Sequence, residues 1–367
     1  MKNAKYCIGV ININLYLVNA LAVGTQPLQP GQRNKKETAI VIHYKPINIR
    51  NMKTAVALGI DIGGTSTKFG FVDQAGRFLT EGNILTAAHK DVKDYIKELC
   101  IATQDLFSTI AETSTLMGIG IGAPDGNYYK GTIEYAPNLP WHGIIPFVEM
   151  MQEYYPGLPI RLTNDANAAA IGEMVYGGAK GMQDFLVVTL GTGLGSGFVA
   201  HGQLIYGYTG FAGELGHVIV SPDGRQCSCG RKGCLETYVS ATGVKRTAYK
   251  MMAKSVSPSP LRDIPFNEMD AKIISEAALA GDELALETFR YTGEMLGKAL
   301  ANVVAITSPE AIFLMGGLAK AGELLLAPTR QAMEQNLMKL FKGKVKLLPS
   351  QLTQNAAIYG AAALIME

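Results

Sequence analysis

The sequence predicts an α/β protein, because short apolar strands alternate with helical segments along most of the chain. A second observation is an internal echo. Two strand–glycine turn–strand segments, one around Gly63 and one around Gly191, lie about 128 residues apart and resemble each other. Such an echo is typical of a duplicated half-domain that binds a nucleotide, so we expect two related α/β units.

Apolar runs of three to six residues that end in glycine or Asx turns predict the strands, and 3.6-residue periodicity predicts the helices. The predicted strands are residues 56–60, 69–72, 117–121, 160–163, 185–190, 198–200 and 311–315. The predicted helices are residues 91–110, 166–175, 282–306, 322–340 and 356–365. The last helix is rich in alanine, and we expect it to pack on a sheet.

Composition excludes a disordered protein. Of 367 residues, 48% are hydrophobic and 17% are charged, which is enough apolar surface for real cores. The net charge of +2 is unevenly distributed: residues 1–51 carry seven basic residues and one acid, and the rest carries 26 basic and 30 acidic residues. The body therefore shows no basic footprint for nucleic acid.

Residues 1–51 differ from the remainder and form a leader. Lys2 and Lys5 precede an apolar stretch at 6–23 that asparagines interrupt. One interpretation is a signal peptide or anchor. The other, which we expect, is a disordered upstream extension with Met52 as the natural start and a cytoplasmic protein.

The two glycine turns are candidate phosphate loops. In the first, the glycine amides, three hydroxyls and the ammonium of Lys68 suit phosphate oxygens, and Asp61 suits Mg²⁺. In the second, Thr192 and Gly193 would face the same phosphates. The pair Gly316-Gly317, which follows the strand at 311–315, is where adenosine could lie against the backbone. The alternatives are ordinary tight hairpins and a glycine pair at a helix entry. The first turn has neither the P-loop spacing nor a Rossmann strand–turn–helix, because the chain returns from it as a strand.

Asn164-Asp165 stands between a predicted strand and a predicted helix. A carboxylate at the end of a strand can reach a cleft and act as a general base. Asx residues are also favoured helix caps, and the two roles can coexist.

Three cysteines and a histidine lie close together in the sequence. His217, Cys227, Cys229 and Cys234 make a complete Cys₃His set, which indicates a closed structural Zn²⁺ site. If one nitrogen of His217 binds zinc, the other is free to face a substrate. Glu214 and Glu236 flank this site, and two carboxylates with an imidazole suit vicinal sugar hydroxyls.

Several segments together resemble the ROK family (repressors, open reading frames and kinases), in particular its zinc-containing bacterial glucokinases. The segments are residues 61–68, 164–167, 189–195, 212–217 and 227–236. The resemblance covers residues 54–367. It implies an actin-like ATPase (ribonuclease H-like) fold, in which two α/β domains flank a cleft beside a zinc-bound loop.

The resemblance also implies an ATP- and Mg²⁺-dependent hexose kinase, a glucokinase first of all, with structural zinc. Asp165 would be the base that takes the proton of the sugar 6-hydroxyl. The implied sugar ligands are Asn138, Asn164, Asp165, Glu214, His217 and Glu236. The implied nucleotide ligands are Asp61, Gly63, Gly64, Thr65, Thr67, Lys68, Thr192, Gly193, Gly316 and Gly317.

We expect a leader at 1–51, an N-terminal domain at 52–165 and a C-terminal domain with the zinc loop at 166–367, the last helix packing back on the first domain. The expected partners are a hexose and ATP, with neither nucleic acid nor membrane, in a homodimer or homotetramer. Other possible substrates are N-acetylmannosamine, N-acetylglucosamine, fructose and allose, and polyphosphate could replace ATP. A sugar-responsive repressor shares this fold, but its winged helix-turn-helix needs more residues than the leader has.

Overall fold

The computed structural model describes residues 53–352 and 355–366, so the predictions for the leader lie outside the described residues. The strands are β1 (Thr54–Ile62), β2 (Thr67–Asp73), β3 (Phe78–Ile84), β4 (Ser114–Ala123), β5 (Gly126–Asn127), β6 (Thr132–Glu134), β7 (Ile144–Ile145), β8 (Ile160–Asn164), β9 (Phe185–Leu190), β10 (Leu194–Ala200), β11 (Gln203–Leu204), β12 (Ala311–Met315) and β13 (Lys346–Pro349). The helices are α1 (Val92–Ser108), α2 (Phe147–Gln152), α3 (Asp165–Tyr176), α4 (Ala241–Lys254), α5 (Ala271–Leu279), α6 (Glu283–Thr307), α7 (Glu323–Asn336) and α8 (Ala356–Met366).

Two five-stranded sheets share one strand order and one pattern of directions. The first runs β3-β2-β1-β4-β8 and the second runs β11-β10-β9-β12-β13. In each, an antiparallel hairpin is followed by two parallel neighbours, β4 and β8 in the first sheet and β12 and β13 in the second. The predicted α/β class is confirmed, and the echo between the two glycine turns reflects equivalent hairpins in two equivalent sheets.

Most predicted elements are present with shifts of a few residues. The predicted helix at 322–340 is too long: α7 ends at Asn336, because Leu337 turns to an extended conformation. The elements that were not predicted are helices α2, α4 and α5, the strands β3, β11 and β13 of the two main sheets, and the small antiparallel sheet of β5, β6 and β7. None of the helices in the described ranges has the length and apolar character needed to cross a membrane.

The chain crosses from the first sheet to the second through α3 and returns after β13 to α8, which packs on β1 and β4. Glycine makes this packing possible. A Cβ on Gly120 of β4 would overlap the carbonyl oxygen of Ala361 in α8, and one on Gly360 of α8 would overlap that of Ala168 in α3. Backbone therefore meets backbone where the two halves join. The domain boundary after residue 165 stays a prediction.

We expect Gly120→Ala to destabilise the protein by about 2 kcal/mol or more, because a methyl group cannot fit between β4 and α8 without a backbone shift. Urea unfolding measures the change. Met117→Ala is the control, since Met117 lies on the same strand with 46% of its surface exposed and should shift stability by about 0.5 kcal/mol or less. Equal effects of the two variants would contradict the packing argument.

Candidate functional site

The carboxyl ends of β1, β4 and β8 bring two aspartates together. Asp61 pairs with Gly122 across β1 and β4, and a Cβ on Gly122 would lie 3.6 Å from Asp165 Cα. Because Gly122 has no side chain to separate them, the carboxylates of Asp61 and Asp165 interact electrostatically. Burial and the charge of Asp165 raise the pKa of Asp61 to about 6, although Lys68 lowers it. Two acids that repel each other in this way are suited to a cation or a proton-bearing ligand.

Asp165 is the first residue of α3, and Asn164 is its N-cap. Asn164 Oδ1 accepts the amide of Ala166 at 2.8 Å, and Asp165 Oδ1 accepts the same amide at 2.7 Å. The Asp165 side chain is open to solvent, yet protein atoms surround its carboxylate closely enough to raise its pKa. The cap leaves Asn164 Nδ2 and Asp165 Oδ2 without a protein partner in the described residues.

The first glycine turn is closed by a hydrogen bond from Gly63 N to Ser66 O of 3.1 Å. Gly64 lies against the backbone of Asn138, because a Cβ there would overlap Asn138 O. Asn138 is thereby brought to the first turn, and its own side chain is exposed. Thr65 and Lys68 are also exposed, so the turn presents amides, a hydroxyl and an ammonium to solvent.

The predicted role of the Thr67 hydroxyl in binding ATP is wrong. Thr67 is the first residue of β2 and is fully buried. Its Oγ1 lies 2.8 Å from Thr86 Oγ1 and 2.5 Å from Tyr95 Oη. Side chains alternate along a strand, so Lys68 faces solvent while Thr67 faces the core.

The second glycine turn is held by the start of α4. Gly191 N donates to Gly193 O at 3.0 Å, Ala241 N donates to Gly191 O at 2.9 Å, and Thr242 Oγ1 donates to Thr192 O at 3.2 Å.

The glycine pair after β12 lies beside this second turn. Gly316 has φ 99°, and a Cβ there would lie 2.5 Å from Leu190 O at the end of β9. The structure therefore brings Gly316 to the second turn. The neighbouring Gly317 is exposed, with open space where a side chain would be.

Glu214 and His217 lie beside β10. Leu215, between them, donates from its amide to Ser196 Oγ of β10 at 3.3 Å. His217 Nε2 is 3.9 Å from Glu214 Oε2. Burial raises the pKa of Glu214; His217 lowers it, and nearby acids, Asp165 among them, raise it further. The charges of Glu214 and Asp165 are thus close enough to act on each other.

Glu236 connects the second turn to the cysteine cluster. This connection could not be predicted from the sequence. Its Oε2 accepts the amide of Leu194 at 3.0 Å, and a Cβ on Gly193 would overlap this oxygen. Its Oε1 lies 3.8 Å from Cys227 Sγ. Glu236 is therefore a neighbour of the second glycine turn as well as of the predicted zinc site.

The four predicted metal ligands converge. Their ligand atoms all lie within 4.8 Å of one another, with Cys227 Sγ 3.7 Å from His217 Nδ1 and Cys229 Sγ 3.6 Å from Cys234 Sγ. A tetrahedron with Zn–S bonds of about 2.3 Å has S···S edges of about 3.8 Å. The residues present therefore fit a zinc ion. Nδ1 faces the cluster and Nε2 faces Glu214, as expected for a ligand that also contacts the cleft.

The two paired thiols differ in acidity. Burial opposes ionisation of Cys229, but hydrogen bonds from Arg231 lower its pKa to about 6. Burial and its cysteine neighbours raise the pKa of Cys234 to about 12. Ionisation of the pair therefore begins at the exposed Cys229.

Arg225 anchors the cysteine loop on α4, and the sequence analysis did not identify it. Its guanidinium lies 4.5 Å from the centre of the Tyr238 ring. Nη1 donates to Thr237 O at 2.7 Å and to Gly243 O at 3.0 Å, and Nη2 donates to Thr247 Oγ1 at 2.9 Å. Nothing local marks this arginine, because two backbone carbonyls, a hydroxyl and an aromatic ring are brought to it only by the fold.

Asp125 is a second residue that the sequence analysis left unassigned. It follows β4 with φ 50°, and the next residue, Gly126, lies against the backbone of Thr163, next to the site. Burial and Asp165 raise the pKa of Asp125, while His217 lowers it. No protein donor is paired with its carboxylate in the described part of the chain. The segment 122–125 was a possible signal, since a strand ends there in Gly-Ala-Pro-Asp.

The model of the ROK family matches residues 57–367. The chain belongs to the ROK family. Its fold is accordingly the actin-like ATPase fold, with mixed α/β sheets on both sides of the site. This ROK protein is 34% identical over 315 residues to a glucokinase of Thermotoga maritima, a match that spans 84% of this chain and 97% of that relative.

A solved ROK glucokinase of Streptomyces griseus, in complex with glucose and AMPPNP, is 33% identical with a TM-score of 0.70; the match covers 84% of this chain and 98% of that one. A xylose repressor of Bacillus subtilis is 29% identical over 86% of this chain and 78% of the repressor.

Asp61→Asn should raise the melting temperature of the ligand-free protein at pH 8 by about 2–6 °C, because it removes a carboxylate that is costly to ionise beside Asp165. The gain should vanish at pH 4. The pKa of Asp61 is about 6 in the folded protein, against an ordinary value of 3.8, so its ionisation destabilises the fold as pH rises through that range; below the range the carboxyl is protonated in both states.

Thermal unfolding without added metal at both pH values measures this difference. Asp105→Asn is the control, since Asp105 is an exposed acid on α1. If Asp61→Asn gave the same gain at both pH values, the electrostatic explanation would be excluded.

Proposed function

We propose that this ROK protein is an ATP-dependent hexose kinase, with glucose as its first candidate substrate. The observation that carries the proposal is the position of Asp165. It is the first residue of α3, at the end of β8, and its carboxylate is close enough to those of Asp61, Asp125 and Glu214 to raise their pKa values. The match over nearly the full length of glucokinases supports the same assignment.

Asp165 would act as the general base. A sugar hydroxyl that approaches its unpaired Oδ2 would donate a hydrogen bond and lose its proton as the hydroxyl oxygen attacks phosphorus. The crowded surroundings that raise the pKa of Asp165 make it a better base than an exposed aspartate. The cap through Oδ1 holds the carboxylate in place for that transfer.

The two turns would bind the triphosphate. The amide of Gly64 and the Lys68 ammonium would be donors that neutralise charge on the transferring phosphoryl group, while the amide of Gly63 closes the turn on Ser66 O. Asp61, opposite Lys68 and next to Asp165, would hold Mg²⁺ directly or through water. When bound, that ion supplies further neutralisation of phosphate charge. Adenosine would lie toward Gly316 and Gly317.

The sugar would be recognised by groups that mainly accept hydrogen bonds. The proposed ligands are Asn138, Asn164, Glu214, His217 and Glu236, to which the structure adds Asp125. Several carboxylates in one cleft favour a neutral polyol, because each hydroxyl can donate to an oxygen and an anionic sugar would be repelled. Among hexoses, this acceptor pattern supports glucose over a sugar with an N-acetyl carbonyl.

A repressor is the second candidate, because xylose repressors match the same region. The alignment covers 97% of the Thermotoga glucokinase and 78% of the repressor. The matched region therefore corresponds to nearly the whole glucokinase but to only part of the repressor. The presence of Asp165 with raised pKa also favours catalysis.

Asp165→Asn should lower kcat by about 10²- to 10⁴-fold and change the KM for hexose much less, because it removes the base and keeps the hydrogen-bonding shape. ADP release with Mg²⁺-ATP is measured over glucose, mannose, fructose, allose and both N-acetylated hexosamines. Glu283→Gln is the matched control, since Glu283 is the first residue of α6. No activity of the unmodified protein on any hexose would refute the kinase; full activity of Asp165→Asn would refute the base.

We also propose that His217, Cys227, Cys229 and Cys234 bind a structural zinc ion. A four-ligand set leaves no open position for substrate on the metal, so its effect would be to order the loop from 217 to 236. That loop carries His217 and Glu236 into the cleft. Zinc would therefore support substrate binding through the protein, without touching the sugar.

The purified protein should contain about one zinc per chain. Cys234→Ser should reduce this to a trace, lower the melting temperature and raise the KM for hexose. Atomic emission spectroscopy and thermal unfolding measure the first two effects. Cys100→Ser is the matched control, because Cys100 is also a buried cysteine but lies on α1. Full zinc in Cys234→Ser would show that the ion lies elsewhere.

A further inference from the structure

Glu173 is a fully buried carboxylate that the proposed reaction does not use. It lies on α3, eight residues after Asp165. Within the described chain no basic side chain pairs with it. It accepts hydrogen bonds from Gly178 N at 2.7 Å, from Ser350 Oγ and from Leu352 N at 3.5 Å. A buried charge is costly unless donors surround it, so these contacts are what keep Glu173 in place.

The partners of Glu173 belong to both passages of the chain between the two sheets. Gly178 lies in the loop from α3 to β9, which is the first passage. Ser350 and Leu352 lie in the loop after β13, which leads to α8 and the second passage. One side chain on the helix that begins at Asp165 therefore ties the outward passage to the return passage.

The surroundings of Glu173 leave little freedom for either passage to move alone. A Cβ on Gly177 would overlap Glu173 Oε2, and one on Gly172 would lie 3.1 Å from Gly360 Cα in α8. Helices α3 and α8 touch through backbone at this point. A rotation of one sheet relative to the other would therefore have to move α3 against α8 at this contact.

We propose that Glu173 is a positioning residue: by joining the two passages it fixes the direction of α3, and so holds Asp165 in line with the sugar hydroxyl when the cleft closes. The inference rests on the proposed function, in which Asp165 is the base. Loss of the joint would leave the sugar ligands intact and misplace the base, so it would lower kcat more than it changes KM.

The test compares Glu173→Gln with Asp73→Asn. Glutamine keeps the shape but places an NH₂ group among N–H donors. Asp73 is another buried carboxylate, which accepts Ala75 N at 2.9 Å, Arg77 N at 2.8 Å and Arg77 Nε at 2.7 Å inside one turn of the first sheet. We expect Glu173→Gln to lower kcat by about 10- to 100-fold with a KM for hexose within about threefold. We expect Asp73→Asn to lower the melting temperature and leave kcat unchanged.

A second readout follows cleft closure. Trp141 is the single tryptophan of the sequence. It is buried, and the centre of its ring lies 4.4 Å from the centre of the Tyr95 ring. Its fluorescence change on adding hexose and a non-hydrolysable ATP analogue should persist in Asp73→Asn and shrink in Glu173→Gln. Equal kcat values in both variants, or an unaltered fluorescence change in Glu173→Gln, would overturn the proposal.

Ser350→Ala keeps the test decisive if Glu173→Gln does not fold. It removes one donor from the return passage and leaves the carboxylate and α3 unchanged. We expect kcat to fall less than in Glu173→Gln, at constant KM. An unchanged kcat would overturn the proposal that Glu173 joins the two passages. An inactive unmodified protein would instead refute the proposed kinase, so the two failures are distinguishable.

Discussion

The direct contact of α8 with β4 and α3 is the constraint on which the rest of the architecture depends. Residues without bulky side chains, Gly120 and Gly360, let backbones meet where the return passage lies on the first sheet. Because α3 is held from behind by α8, its first residue, Asp165, has a defined position at the ends of β1, β4 and β8. The position of Asp165 in the cleft is thus fixed by the packing of α3 on α8, away from the cleft itself.

The electrostatics of the cleft work against the ligand-free protein. Asp61, Asp125, Asp165 and Glu214 all have raised pKa values, and in each case burial is the largest cause. A protein selected for stability alone would not assemble four acids at one edge. A cation or hydroxyl groups that donate hydrogen bonds would relieve this repulsion, so the acids that destabilise the ligand-free protein would favour ligands of those two kinds.

The turns, the strands beside them and the cysteine cluster could be predicted because each is marked locally, by glycine, by apolar runs or by ligand spacing. Thr67 was assigned wrongly because a list of hydroxyls ignores the alternation of a strand, which turns Thr67 inward and Lys68 outward. Arg225 and Glu173 could not be assigned because the fold brings their partners in α4 and after β13 to them, and Asp125 could not because only the fold places it near Asp165 and His217. Helix α4 was overlooked because its start is defined by the Ser240 cap and its contact with the second turn, and only the fold shows that contact.

Glu236 has a consequence for how the protein would respond to its chemical surroundings. One carboxylate touches the amide of Leu194 on one side and the thiol of Cys227 on the other. Oxidants or competing metals that disturb the thiols would therefore also displace the carboxylate that supports the second turn. If the cluster holds zinc as proposed, zinc depletion would loosen the cysteine loop and the second turn together, so the redox and metal state of the cell would act on the cleft through a single side chain.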